Sequence, residues 1–157
     1  LLAPIFYYTS EVGASLTTPV FVVLSENQDM TLSPTFFTKK LLMLQAEYRH
    51  RFERGEFSIS GSITTGEEIR NQLLKNRPKT RESGKKRWHV FSKTRYEFTN
   101  NIRGGLNIER TSDSTYFQRY KNLGVTRQNV LTSKAYLEGF WGRSYGQIQN
   151  VVFQGLR

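Results

Sequence analysis

Alternation of apolar and polar residues is the feature that most constrains what this chain can fold into. Between residues 41 and 52, Leu42 and Leu44 share one side of an extended chain, whereas Glu47 and Arg49 share the other. A side-chain period of two belongs to a β-strand and does not suit a helix. The pattern therefore predicts strands that carry one apolar face and one polar face.

Runs of this kind, separated by turn-forming residues, continue along nearly the whole chain. The predicted strands are residues 2–9, 14–24, 29–38, 41–52, 56–65, 87–99, 102–111, 128–141 and 144–157. Almost no helix is predicted. The sequence indicates an all-β chain of about nine strands in an antiparallel, up-and-down meander.

The predicted connections differ in length in an ordered way. The tight turns are residues 25–28, 53–55, 100–101 and 142–143. The long connections are about 66–86 and 112–127, and they fall at the opposite end of the strands. Short turns at one end and long loops at the other are typical of transmembrane β-barrels. We therefore predict an antiparallel transmembrane barrel segment that occupies residues 1–157 as one incomplete unit, with both long loops outside.

Aromatic residues flank three of the tight turns. In a barrel, rings collect at the membrane interface because the apolar ring dips into lipid while its polar tip stays wet. Cross-strand packing in hairpins also favours aromatic residues. The predicted girdle on the periplasmic side is Phe52, Phe57, Tyr96, Phe98, Trp141 and Tyr145.

Alternation alone does not say which face is wet, because a soluble sandwich shows the same pattern with its apolar face inward. The 157 residues carry a net charge of +10, which attracts polyanions of any kind. One alternative is another outer-membrane barrel, a porin or uptake channel. The other is a soluble basic β-protein that binds nucleic acid through arginines and stacked aromatic rings. Nucleic acid is not the favoured partner.

Sequence features of an enzyme are lacking. The chain has no cysteine, and His50 and His89 lie far apart among aromatic and basic neighbours. No phosphate-binding glycine loop or nucleophile motif is present. We predict no catalytic residue, no metal and no cofactor. Because the chain begins at Leu1 without an initiator Met or a signal sequence, we also expect it to be the interior of a longer product.

Three prolines recur at intervals of 15 residues, at Pro4, Pro19 and Pro34. A proline has no N–H, so each one removes a possible hydrogen bond between strands. Folding of the first two hairpins would bring the three to a similar height. The spacing predicts a weak row in the sheet, although edge strands also tolerate proline.

Basic residues on the polar faces are candidates for contacts with phosphate groups, since charge-assisted hydrogen bonds to phosphate are strong. They also have acidic neighbours, and an ionic lining built from Glu47, Glu97, Glu109 and Glu138 is the simpler interpretation. The candidates are Arg49, Arg51, Lys93, Arg95, Arg103 and Lys134.

Several stretches together resemble one family. They are TPVFVVLSENQDMTLSPTF at 18–36, LQAEYRHRFERGEFSISGSIT at 44–64, GGLNIERTSDSTYFQRY at 104–120 and LTSKAYLEGFWGRSYGQIQNVVFQGLR at 131–157. In this order they resemble the first part of the barrel domain of LptD, also called OstA, the lipopolysaccharide assembly family. The basic loop at 66–86 is outside the resemblance.

The resemblance implies a function and partners. Members of this family carry a periplasmic jellyroll before a very large barrel, enclose a plug lipoprotein of the LptE type, and receive lipopolysaccharide from periplasmic bridge proteins. They release it into the outer leaflet of the bacterial outer membrane through a seam between the first and last strands. Pro4 and Pro19 match the family's seam prolines, so we expect lateral release near the first strands.

Overall fold

The computed structural model describes residues 2–10, 13–38, 42–65, 86–119 and 130–156. Within these ranges, ten strands and one short helix form. They are β1 (Ile5–Thr9), β2 (Gly13–Thr17), β3 (Val20–Ser25), β4 (Gln28–Phe37), β5 (Leu42–Phe52), β6 (Gly55–Thr65), β7 (Lys86–Thr99), β8 (Ile102–Thr111), α1 (Tyr116–Arg119), β9 (Val130–Trp141) and β10 (Ser144–Gly155).

All strands belong to one antiparallel sheet. Its order is β1-β2-β4-β5-β6-β7-β8-β9-β10, and β3 pairs with β4 beyond the end of β2. Within the described ranges β1 and β10 do not pair with each other, so the sheet is not closed. The prediction of an all-β antiparallel meander is confirmed.

The strand count differs from the prediction by one because the predicted strand 14–24 is interrupted. Its two pieces, β2 and β3, keep the same register against β4, with Thr17 opposite Thr35 and Val20 opposite Leu32. Between them stands Pro19, which has no N–H to donate. The interruption therefore breaks the hydrogen-bond ladder without shifting the strand.

Tight turns at one end of the sheet form as predicted. Two-residue connections occur at 26–27, 53–54, 100–101 and 142–143. The last of them has Gly142 at a φ of +58°, a backbone conformation that disfavours residues with a Cβ.

The opposite end of the sheet carries the long connections. The predicted loop 66–86 lies outside the described residues except for Lys86, which begins β7. The predicted loop 112–127 is described as far as residue 119, and it contains the one-turn helix α1, which was not predicted. In the part of the chain that the structure describes, no helix is long and apolar enough to cross a membrane.

Pairing registers sort the side chains into two faces. Opposite residues in neighbouring strands point to the same side, so Leu44 and Ile63, like Leu106 and Ala135, share one side. We call this the apolar face. The side that carries Arg49, Ser58, Lys93, Arg103 and Glu138 is the polar face.

Candidate functional site

Large apolar side chains on the apolar face remain open to the surroundings. Leu44, Leu106 and Leu137 are 42%, 43% and 46% exposed, although they lie on central strands. They do not cluster in a dry interior. Contiguous apolar surface of this kind marks a face that another apolar phase or partner covers.

Most of the predicted girdle residues share the apolar face at the tight-turn end. Phe57 lies opposite His50, and the His50 ring centroid is 4.0 Å from that of Phe52. The Tyr96 and Phe98 rings contact each other edge to face at 5.3 Å. Trp141 lies on the same face and is 55% exposed.

Tyr145 differs from the other girdle candidates. It pairs with Phe140, and its hydroxyl donates to a carboxylate oxygen of Glu138 at 3.3 Å. This places Tyr145 on the polar face.

A hollow of about 570 Å³ lies at the tight-turn end of β3 to β7. Its charged lining comes from the polar face and includes Arg49, Arg51, Lys93, Asp29 and Glu56. Phe21 and Val23 of β3 add an apolar wall. The hollow thus offers cationic and apolar contacts side by side.

Some of the predicted basic candidates are already paired. Arg49 Nε lies 2.8 Å from Asp29 Oδ1. Arg103 Nε lies 2.6 Å from Glu138 Oε2, and an Arg95 nitrogen lies 3.7 Å from Glu97.

The other basic candidates form no ion pair with an acidic residue of the described ranges. Lys134 Nζ lies over the ring of Tyr136, 5.3 Å from its centroid. Among the described residues, Arg51 and Lys93 have no acidic side chain within ion-pair distance. These two cations, both lining the hollow, are the ones best able to receive an anionic ligand.

The other end of the polar face is dry. Phe37, Met43 and Tyr116 form a buried cluster there, and Tyr116 of α1 is completely buried. Phe117 packs against this cluster and stacks on Phe91 of β7 with ring centroids 5.7 Å apart. The segment that follows β8 therefore folds back over the polar face.

Hydrogen bonds fix this cluster to the sheet. Ser62 Oγ lies 2.7 Å from His89 Nδ1 and also bonds the Tyr116 hydroxyl. Beside them, Arg87 Nε lies 3.7 Å from Asp113 Oδ2. Ser62, which the register places on the polar face, is buried among these groups.

The sequence alone does not predict the dry cluster. Its only local signal is that Phe37, Met43 and Phe91 interrupt the polar face of their strands, at the end where the long connections lie. Ser62 and Tyr116 are 54 residues apart in the chain, so no local pattern joins them.

The three prolines lie at one level of the sheet. The Thr18 N–H donates to the carbonyl of Pro34 at 3.1 Å, and Pro34 has no N–H to return the bond. The Pro19 carbonyl accepts from Leu2 at 3.0 Å. Extending the β1–β2 register by one residue places Pro4 opposite Thr18.

Pro4 lies immediately before β1, where the ladder with the next strand becomes irregular. Ile5 lies opposite Thr17, and the same register would place Ala3 opposite Pro19. The Pro19 carbonyl instead accepts from the Leu2 N–H. Pro4, which has no N–H to donate, therefore lies in the irregular part of this junction.

Fold and polar face together define a class of protein: an antiparallel β-sheet wall with one exposed apolar side, one charged side and long connections at a single end.

A family profile described as "LPS transport system D" matches residues 85–157. The LPS-assembly protein LptD of Ralstonia nicotianae is 31% identical over 115 residues, which are 73% of this chain and 13% of the relative.

Two further relatives bear the same name. The LPS-assembly protein LptD of Legionella pneumophila strain Lens is 28% identical over 155 residues, 93% of this chain and 18% of the relative. That of Ectopseudomonas mendocina is 27% identical over 151 residues, 96% of this chain and 15% of the relative. The chain thus spans less than a fifth of the length of these curated relatives.

This chain belongs to the LptD family. The predicted family and the predicted location, the bacterial outer membrane, are thereby confirmed. The family consists of transport and assembly proteins and not of enzymes.

Proposed function

We propose that this chain is one segment of a transmembrane antiparallel β-barrel that assembles lipopolysaccharide in the outer membrane. The single observation that carries the proposal is the division of the sheet into two faces. Leu44, Leu106 and Leu137 stay exposed on central strands of one face, while ion pairs and unpaired cations occupy the other. In a barrel wall the first face contacts lipid and the second lines the lumen.

The open sheet supports a larger barrel. Backbone groups at an unpaired edge are costly in lipid, where no water replaces the missing partner. Within the described residues both β1 and β10 end the sheet with one edge unpaired. Further strands on either side would satisfy these edges, so the chain as a single incomplete barrel segment remains our proposal, with its long connections on the outer side.

The hollow is the proposed route for the polar part of lipopolysaccharide. Arg51 and Lys93 would receive phosphate groups, because charge-assisted hydrogen bonds to phosphate are strong. Phe21 and Val23 would contact apolar portions of the same molecule. Arg49, Arg95, Arg103 and Lys134 would mainly shape the lining through their contacts within the sheet.

Lateral release is proposed at the first strands. Pro4, directly before β1, has no N–H to donate, and Pro19 lies between β2 and β3. In the described part of the chain β3 pairs with β4 alone, so its other edge has no strand partner from Val20 to Ser25. A seam poor in hydrogen bonds would let acyl chains pass into the outer leaflet.

We propose the partners and the membrane contacts of this chain from its membership of the LptD family. A plug lipoprotein of the LptE type would occupy the lumen, and periplasmic bridge proteins would deliver lipopolysaccharide from the tight-turn end. Phe52, Phe57, Tyr96, Phe98 and Trp141 would mark the periplasmic interface, with Tyr145 on the luminal side.

Photo-cross-linking in the full-length protein tests the route. A photoreactive residue at Ser58 faces the polar side, and one at the adjacent Phe57 faces the apolar side at the same height. Lipopolysaccharide should be captured from Ser58 and not from Phe57, which faces the phospholipid leaflet. Capture from neither position would contradict the proposed transport route.

The seam is tested separately. Pro4→Ala and Pro19→Ala restore a backbone donor and should reduce lipopolysaccharide at the cell surface, while cross-linking from Ser58 persists. Pro78→Ala makes the same chemical change in the basic segment 66–86 and serves as the control. Unchanged surface lipopolysaccharide in the Pro4 and Pro19 variants would remove the seam assignment and leave the transport route standing.

A further inference from the structure

The junction between β8 and β9 changes character halfway along its length. As far as Asn107, which lies opposite Lys134, the two strands pair as an antiparallel ladder. β8 continues to Thr111 and β9 begins at Val130, but no pairing joins these outer halves. β8 stays paired with β7, and β9 with β10, over the same stretch. The sheet therefore forks at its long-connection end.

Backbone groups that would complete the ladder can be identified. Continuing the register would place Glu109 opposite Thr132, and Thr111, two residues further along β8, opposite Val130. The Ser112 N–H donates to the Trp88 carbonyl of β7 at 2.8 Å, so Glu109 and Thr111 direct theirs towards β9. A regular ladder would bond these groups directly to β9.

Side chains satisfy these groups instead. Ser133 Oγ accepts from the Glu109 N–H at 3.1 Å and donates to the Glu109 carbonyl at 3.2 Å. The Glu109 carboxylate accepts from the Thr132 N–H at 3.0 Å. The Gln154 amide, reaching over from β10, accepts from the Thr111 N–H at 3.2 Å and donates to its carbonyl at 2.8 Å.

The fork is filled rather than hollow. Leu131 lies opposite Gln154 in the β9–β10 register and is only 1% exposed. Gln154 therefore passes beside a buried apolar side chain to reach β8. The side-chain hydrogen bonds and the buried Leu131 distinguish this fork from a frayed strand end.

Side-chain bridges permit movement that a backbone ladder does not. Ladder bonds require a fixed spacing between strands, whereas Ser, Glu and Gln side chains rotate about several single bonds. We propose that the long-connection half of the β8–β9 junction is a hinge, about which β9 and β10 swing relative to β4–β8. The ladder up to Asn107 and Lys134 holds the pivot.

This hinge would let the wall widen at the long-connection end while the ladder pairs at the tight-turn end stay intact. This movement of the sheet does not depend on whether the proline seam releases lipid.

Hydrogen exchange of the full-length protein in lipid nanodiscs, read by fragmentation mass spectrometry, tests the hinge directly. The amides of Glu109, Thr111 and Thr132 should exchange about tenfold faster than those of Asn107 and Lys134, because side-chain bridges open more readily than ladder bonds. Equal protection at both heights would overturn the proposal.

Variants give a second, independent test. Ser133→Ala should speed exchange at Glu109, and Gln154→Met should speed exchange at Thr111, each by about tenfold or more. Ser92→Ala and Gln149→Met are matched controls, since neither side chain makes a hydrogen bond within the described structure. Unchanged exchange in the bridging variants would overturn the hinge, and if they fail to fold the comparison within the parent protein decides.

Discussion

The indole ring of Trp141 lies directly against Gly139, so closely that a Cβ on Gly139 would stand 2.1 Å from a ring carbon. Both residues lie on the apolar face at the tight-turn end. Opposite Gly139 in the register is Gly146, where a Cβ would find the same ring no nearer than 3.8 Å. The Trp141 ring therefore needs the absence of a side chain at Gly139, whereas a Cβ at Gly146 would make only an ordinary van der Waals contact.

Gly139→Ala should displace the Trp141 ring, whereas Gly146→Ala should leave it in place. Because Trp141 is 55% exposed, its ring can swing away and the fold should survive. The measurement is the difference in tryptophan fluorescence between each glycine variant and the same variant carrying Trp141→Phe, which isolates the emission of Trp141. Identical emission spectra for the two glycine variants would contradict the inferred contact.

Tyr116→Ala should loosen the segment that covers the polar face. Removing a large buried side chain costs about 3–5 kcal/mol in other cores, so local opening of the segment should rise steeply. Tyr116→Phe keeps the ring and removes the hydroxyl that bonds Ser62, at about 1 kcal/mol. Proteolysis between residues 112 and 119 measures the opening. Equal cleavage of the parent and Tyr116→Ala would show that the cluster does not hold the segment.

Strand pattern and turn positions could be predicted because they depend on neighbours in sequence. Period-two alternation places Leu44 and Arg49 on opposite faces whatever the rest of the chain does. Pro19 could be recognised as a weak point, yet the split into β2 and β3 required knowing that Pro34 sits beside it on the paired strand.

Long-range features could not be predicted, since their partners are distant in sequence. In the sequence His89 is an isolated histidine, because its hydrogen-bond partner Ser62 is 27 residues away. The β6–β7 register brings the two residues opposite each other. The hydrogen bond from Thr111 of β8 to the Gln154 side chain of β10 spans the intervening strand β9, whereas strands normally bond only to their direct neighbours. Pairing of Arg49 with Asp29 instead of Glu47 likewise depends on the β4–β5 register.

Leu106→Arg should destabilise the full-length protein in lipid, and Asn107→Arg should not. The two positions are adjacent on β8 but lie on opposite faces. An arginine on the lipid face near the bilayer centre costs about 2–4 kcal/mol, while a luminal one stays hydrated. Urea titration of the protein folded into lipid vesicles gives the two free energies of unfolding. A larger loss of unfolding free energy for Asn107→Arg would show that lipid contacts the polar face and not the apolar face.

Arg51→Gln combined with Lys93→Gln should weaken capture of lipopolysaccharide from the hollow. Neither cation is engaged by an acidic partner in the described residues, so their loss removes contacts with phosphate and breaks no ion pair. We expect the cross-linking yield from Ser58 to fall about tenfold, as loss of charged hydrogen bonds predicts. Arg110→Gln removes a like charge from the apolar face and is the control. If it lowers the yield as much as the double variant does, overall charge and not the hollow governs capture.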